Sequence, residues 1–296
     1  MKIPHNDSPK KLADGLWALG NYFFNIYLVK GSKGAALFES GISATVDLVA
    51  KQLESLDISP DYFVVLHPHP DHINGLPGLR SIFPHARIIA GPGAAEFAAH
   101  PKTAQALVAE DVFMSEFLAS RDLPIGRPPI KEAPSLEGCI VKSEGDCLDL
   151  GGLTVNFLSA PGHAIGALAA HVPEIRAILA SDCLGFRFPG ISDFFPLFFT
   201  GFGDYIATIR KLKALEPEIL ALAHQGPLTG EKVKDAFRKA ERSAMEIRQL
   251  ALSGVAEGEI IETIFNKYYR DELKMYTREN IITCCKLIIK RSRESI

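Results

Sequence analysis

Short apolar runs separated by glycine and polar turns open the chain, and residues 16–19, 25–30 and 35–38 have the composition of strands. Residues 45–56 then place Val46, Leu48, Val49, Leu53 and Leu56 near helical spacing. A continuous run of β-formers at 62–66 predicts a strand buried on both faces. The pattern next predicts a helix at 76–83, a strand at 87–90 and two helices within 93–120. Residues 121–138 are rich in proline and glycine and read as a connecting loop. The second half repeats the style, with strands at 139–143, 147–150 and 153–159, and a hairpin from 167–172 and 175–180. A helix at 204–215 and a strand at 218–223 complete it. Two β-rich halves with helices between them predict two packed sheets flanked by helices, an α/β sandwich of αββα layers.

From residue 229 onward the periodicity is helical throughout, over 231–252, 257–268 and 278–292. The expected organisation is a body over 1–228 and an all-α extension over 229–296. So short an extension is expected to pack on the body or on a second copy, which would make a homodimer.

Composition narrows the class. Of 296 residues, 47% are hydrophobic and 23% charged, with a formal net charge of −3. That near-neutral balance gives no reason to expect nucleic acid or an anionic membrane as a partner; the expected partner is a small-molecule substrate. The cysteines, Cys139, Cys147, Cys183, Cys284 and Cys285, make no C-x-x-C pair and read as reduced thiols. The first residues, MKIPHNDSPKK, lack an apolar leader core, and no run reaches the ~18 apolar residues of a membrane span. A cytoplasmic protein is expected.

The chemistry concentrates in VVLHPHPDHING, from Val64 to Gly75. His67 and His69 are two apart at a strand end, where alternate side chains share a face. Pro68 and Pro70 take the chain out of the sheet and hold the preceding histidines extended. Asp71 and His72 follow where the chain must turn toward a helix. Isolated histidines such as His5, His85, His100 and His171 are expected to be structural; clustering points to a metal.

His67-Pro68-His69-Pro70-Asp71-His72 resembles the signature of the metallo-β-lactamase superfamily. The likeness extends to Pro161-Gly162-His163, to Ser181-Asp182 and to Ala223-His224-Gln225-Gly226, each after a predicted strand, and covers about residues 10–228. It implies two divalent metal ions, Zn, Fe or Mn. His67, His69 and His163 would hold one, Asp71, His72 and His224 the other, with Asp182 bridging. It implies a metal-bridging hydroxide as nucleophile, with Asp71 and Asp182 as catalytic groups. Glu39 departs from the family, where an aspartate commonly supports the ligand loop. With aspartate at 182, Cys183 is expected to be a structural thiol, and Cys284-Cys285, on a helix, to be core.

Phe186 to Phe202 holds seven of the chain's eighteen phenylalanines, with Phe194, Phe195, Phe198, Phe199 and Phe202 on one face if the segment is helical. Following Asp182, it is expected either to line an apolar substrate pocket through Phe186, Phe188, Phe194, Phe195 and Phe198, or to be core or a subunit contact. Tyr205 is a further candidate for contact with a substrate that has an apolar portion. The Asp-bridged site most resembles glyoxalase II-like thioesterases. It implies a metal-dependent hydrolase of ester bonds, with a thioester as the expected substrate. The alternatives are a persulfide dioxygenase-like iron enzyme, a lactonase, or a signalling protein whose metal site is largely structural.

Overall fold

The computed structural model describes residues 8–294, so His5 lies outside it. In chain order the first half is β1 (Lys10–Ala13), β2 (Leu16–Gly20), β3 (Asn25–Lys30), β4 (Ala35–Phe38), α1 (Val46–Ser55), β5 (Tyr62–Val65), α2 (Pro70–Ile73), α3 (Leu76–Ile82), β6 (Arg87–Ala90), α4 (Ala94–Ala99), α5 (Pro101–Ala119) and β7 (Ile140–Val141). The second half begins with β8 (Cys147–Asp149), β9 (Thr154–Ser159), β10 (Leu168–Val172) and β11 (Ala177–Ser181). It continues with β12 (Phe186–Phe188), β13 (Asp193–Phe195), α6 (Phe202–Ala214), β14 (Ile219–Leu222) and β15 (Leu228–Thr229). Three helices close the chain, α7 (Glu231–Ala251), α8 (Glu257–Tyr268) and α9 (Arg278–Arg293), with a 3-10 turn (Asp271–Met275) before the last.

Strands β1 to β7 lie side by side in chain order, antiparallel as far as β4 and parallel beyond it. The second sheet runs β15-β14-β11-β10-β9-β8, and β11 with β14 is its parallel pair. Period-two alternation assigns the faces. In β3, Ile26 and Leu28 point to a cluster with Val46, Val49 and Leu53 of α1, while Tyr27 and Val29 point inward. In β10, Leu168, Ala170 and Val172 meet those inward residues, while Ala169 faces the outer helices. The result is an αββα sandwich with both sheets buried between helices, as the hydrophobic pattern predicts.

One detail differs from the pattern. Phe186 to Phe195 is a two-stranded hairpin, β12 against β13, and helix begins only at Phe202. Pro189-Gly190 and Pro196 forbid a helix there, so the expected helical phenylalanine face is replaced by a β arrangement. The helical extension shares one apolar cluster with the second sheet, the hairpin and α6. Its α7 buries Val233, Ala236, Phe237, Ala240, Ala244 and Ile247 along one stripe, and α9 buries Ile281, Cys285, Ile288 and Ile289. Among the described residues no helix is long and apolar enough to cross a membrane.

Candidate metal centre

The strand ends carry the site. β5 stops before His67, and Pro70 opens the short α2 with His69 as its extended N-cap. The loop is locked to the end of β4, because Ser40 donates both its backbone N–H (2.9 Å) and its hydroxyl (2.7 Å) to the His72 carbonyl. Gly75 allows this approach: a Cβ there would stand 2.0 Å from the Ser40 carbonyl oxygen. Gly162 places His163 in the same way, since a Cβ would meet the Tyr205 nitrogen at 2.3 Å. Glu39, Ser181 and Gln225, each beside a site residue or supporting one, have left-handed φ of 67°, 47° and 56°. Non-glycine residues tolerate that conformation where the surrounding structure over-determines it.

His67, His69 and His163 form a triangle, with ring centroids 4.6, 4.7 and 4.6 Å apart. Beside it stand Asp71, His72, Asp182 and His224, all buried, and one ligand atom from each lies within 4.8 Å of the others. The structure therefore brings the seven motif residues together as the two groups that the resemblance implies. Asp182 lies between them, with Oδ2 3.9 Å from His67 Nε2, 3.8 Å from His163 Nε2 and 3.4 Å from His72 Nε2, and Oδ1 3.5 Å from His224 Nε2.

The outer nitrogens set the tautomers. His163 Nδ1–H donates to the Leu197 carbonyl (2.7 Å) and His224 Nδ1–H to that of Phe23 (2.6 Å). His72 Nδ1 is 3.2 Å from Glu39 Oε2. His67 Nδ1 reaches Ser181 Oγ (3.2 Å), whose hydroxyl donates to Glu39 Oε1 (2.6 Å). Glu39 thus supports the ligand loop despite its extra methylene. Each of these four rings turns its Nε2 lone pair inward. His67 Nε2 and His163 Nε2 face each other at 3.1 Å, while His72 Nε2 and His224 Nε2 converge on Asp71 Oδ2 at 2.9 and 3.0 Å. Buried imidazole nitrogens and carboxylate oxygens that converge in two such groups make a donor set that fits divalent metal ions.

Electrostatics agree. Burial and the neighbouring imidazoles hold His67 well below the ordinary histidine range and His69 at about 3. Burial also lowers His163. Burial opposes ionisation of Asp71, yet His72 and His224 hold it well below the carboxylate range. Asp182 is held at about 2 against the same penalty, chiefly by His72 and His224. Those carboxylates in turn raise His72 and His224 against their own burial. The first group offers neutral nitrogens, and the second demands compensating positive charge.

A cavity of about 200 Å³ opens on this centre, lined on the metal side by His69, Asp71, His163 and Asp182. Of the residues expected to touch a substrate, Phe186 lines it, packing its ring 5.0 Å from that of His224. Phe188, Phe194, Phe195, Phe198 and Tyr205 are not in the lining but in the core behind it. Phe195 packs on Tyr268, and the Tyr205 hydroxyl accepts from Leu197 N–H (3.5 Å) in the loop whose carbonyl holds His163. Cys183 is buried in the same core, and burial pushes its thiol up. Cys285 is buried too, but Cys284, expected in the core, lies in the cavity wall.

The cavity also contains residues without a motif. Tyr276, 205 positions beyond Asp71, donates its hydroxyl to Asp71 Oδ2 at 2.7 Å. Phe199, Leu273, Asn280, Ile281, Thr283 and Leu287 complete the wall. For Asn280, Ile281, Thr283 and Leu287 the only sequence signal is the helical pattern of α9, which sets a face but not its neighbour, whereas Phe199 belongs to the phenylalanine-rich segment.

The family description "Metallo-beta-lactamase superfamily" matches residues 20–224. The metallo-beta-lactamase fold-containing protein ST1585 of Sulfurisphaera tokodaii is 25% identical over 80% of this chain and 85% of its own length. Its solved structure superposes with a TM-score of 0.61 at 19% identity, over 95% of this chain and 99% of that one. A hydroxyacylglutathione hydrolase of Ruegeria pomeroyi is 27% identical over 62% of this chain and 56% of its own. The acyl-coenzyme A thioesterase MBLAC2 of Bos taurus is 23% identical over 69% of this chain and 74% of its own.

Proposed function

The chain belongs to the metallo-beta-lactamase superfamily, and on that premise we propose that it is a metal-dependent hydrolase cleaving an ester-like carbonyl, with a thioester as its substrate. The observation that carries this reading is the position of Asp182, within 4 Å of nitrogens from both ligand groups. His67, His69 and His163 would hold one ion, Asp71, His72 and His224 the other, and Asp182 would reach both. Divalent ions bound there supply Lewis acidity toward a carbonyl and lower the pKa of a water toward neutrality.

The chain's own residues then select the leaving group. Outside the ligand set, the titratable side chains of the cavity wall are Tyr276 and Cys284. Burial holds both far above their ordinary values, and Asp71 raises Tyr276 further. Tyr276 is also committed as a donor to Asp71, so among the described residues no ready general acid faces the cavity. A thiolate departs without a proton, whereas an alkoxide or amine needs one. A relative named as an acyl-coenzyme A thioesterase supports the same choice.

The test is element-resolved metal content on protein purified without added metal, followed by rates on acyl thioesters, oxygen esters and lactones. Two ions per chain and fastest turnover of thioesters are expected. Metal-replete protein inert on the whole panel would overturn the reading. A single iron with sulfite released from a persulfide would replace it with an oxygenase.

A further inference from the structure

Seven of the fifteen residues around the cavity, Leu273, Tyr276, Asn280, Ile281, Thr283, Cys284 and Leu287, come from beyond residue 270, so the helical extension roofs the metal centre. No lysine, arginine or glutamate is among the fifteen, and the two aspartates are ligands. Phe186, Leu197, Phe199, Leu273, Ile281 and Leu287 make the wall apolar.

The few polar groups in the roof are already committed. Tyr276 donates to Asp71, Thr283 Oγ1 to the Glu279 carbonyl (2.9 Å), and Cys284 Sγ to Asn280 Oδ1 (3.3 Å). The Asn280 side chain also lies near the Glu110 carboxyl, whose pKa it lowers against burial. A charged group entering beneath this roof would lose its water and meet no oppositely charged side chain in it. A cavity of about 200 Å³ is also smaller than the ~300 Å³ at which pockets begin to enclose drug-sized ligands.

We propose that the helical extension makes this cavity selective for a short, uncharged, apolar acyl group, so that any charged part of the substrate stays outside. Hydrolysis of that group rests on the function proposed above; its binding does not. Selectivity is then set by α9 and the turn before it, and the strand-end motifs that hold metal contribute little to it.

The test is calorimetric titration of the metal-loaded protein with non-hydrolysable ketone analogues of a butanoyl thioester, methylene replacing sulfur. One analogue keeps the terminal methyl; its counterpart ends in a protonated ammonium, which cannot ligate a metal. The neutral analogue is expected to bind at least ~100-fold more tightly. Half-buried Leu287 is the site for a rescue: Leu287→Glu should narrow that ratio roughly 10-fold by giving the ammonium a partner. If circular dichroism shows that variant unfolded, Thr283→Glu, at an exposed position, replaces it. Similar affinity for both analogues, preference for the ammonium, or no binding of the neutral one would overturn the proposal. Clear discrimination between analogues with no turnover of any thioester would instead refute the hydrolase reading and leave the selectivity standing.

Discussion

Asp71 Oδ2 shows how much one buried atom is asked to do. It stands 2.9 Å from His72 Nε2, 3.0 Å from His224 Nε2 and 2.7 Å from the Tyr276 hydroxyl. Of these only the phenol is an unambiguous donor, so Tyr276 fixes the carboxylate before a cation arrives. Tyr276→Phe keeps the ring and deletes the donor. It should weaken metal binding at the Asp71 group about 10- to 100-fold, as loss of outer hydrogen bonds does, and leave the three-histidine group nearly unchanged; stepwise chelator competition separates the two. Ser181→Ala breaks the relay from His67 Nδ1 through Oγ to Glu39. A similar loss of affinity is expected there, now felt by the group that contains His67. Equal affinity in both variants would mean that packing alone holds the ligands. The seven clustered residues were legible because strand ends and prolines constrain them locally. Tyr276 and Ser181 were not, because one arrives through the packing of a distant helix and the other reads as an ordinary strand terminus.

The hairpin β12–β13 joins the body to its extension. Asp193 accepts from Ser243 Oγ (2.5 Å) on α7, from Tyr268 (3.3 Å) and from Lys267 Nζ (2.8 Å) on α8, and from the backbone of Phe194 (2.9 Å). Asp193→Ala removes the acceptor shared by Ser243, Tyr268 and Lys267, leaving Ser243 Oγ only the Lys239 carbonyl (2.9 Å), and should cost about 2 kcal/mol of stability at pH 7, read from urea unfolding. Burial opposes ionisation of Asp193, but Lys267, Ser243 and the Phe194 amide lower its pKa. Its contribution is therefore present above the ordinary carboxylate pKa and lost as pH falls through the lowered folded value. The gap between wild type and variant should shrink on acidification, and a gap constant down to pH 2 would remove Asp193 from that role. Much at this scale was readable in advance: β3 to β6 and α7 to α9 follow their hydrophobic periods closely. The strands missing from that reading are β1, β12, β13 and β15. Shortness is not the reason, since β7 and β8 are as short; β1 (KKLA) and β15 (LT) offer no alternation of apolar residues, and the apolar spacing around β12 and β13 also fits a helix. In the phenylalanine-rich segment, the prolines carried more information than the apolar spacing.

At the scale of the molecule, metal binding is expected to couple to the extension through Tyr276. Without cations the two carboxylates are balanced by His72 and His224, which they raise. A bound ion would take over that balance and stabilise the fold by mass action, about 4.1 kcal/mol at a free concentration 1,000 times its dissociation constant. Chelation should therefore lower the melting temperature by on the order of 10 °C in a chain of this size. The loss should be felt unevenly. The hydroxyl of Tyr276 holds the turn before α9 to Asp71, and Thr277 caps that helix by accepting from Asn280 N–H (3.1 Å). Hydrogen exchange across residues 271–293 should accelerate on chelation, while β5, an interior strand of the first sheet, keeps its protection. An unchanged melting temperature after verified metal loss would show that the donors are satisfied in another way. Uniform acceleration across the whole chain would show that the roof opens only when the body unfolds.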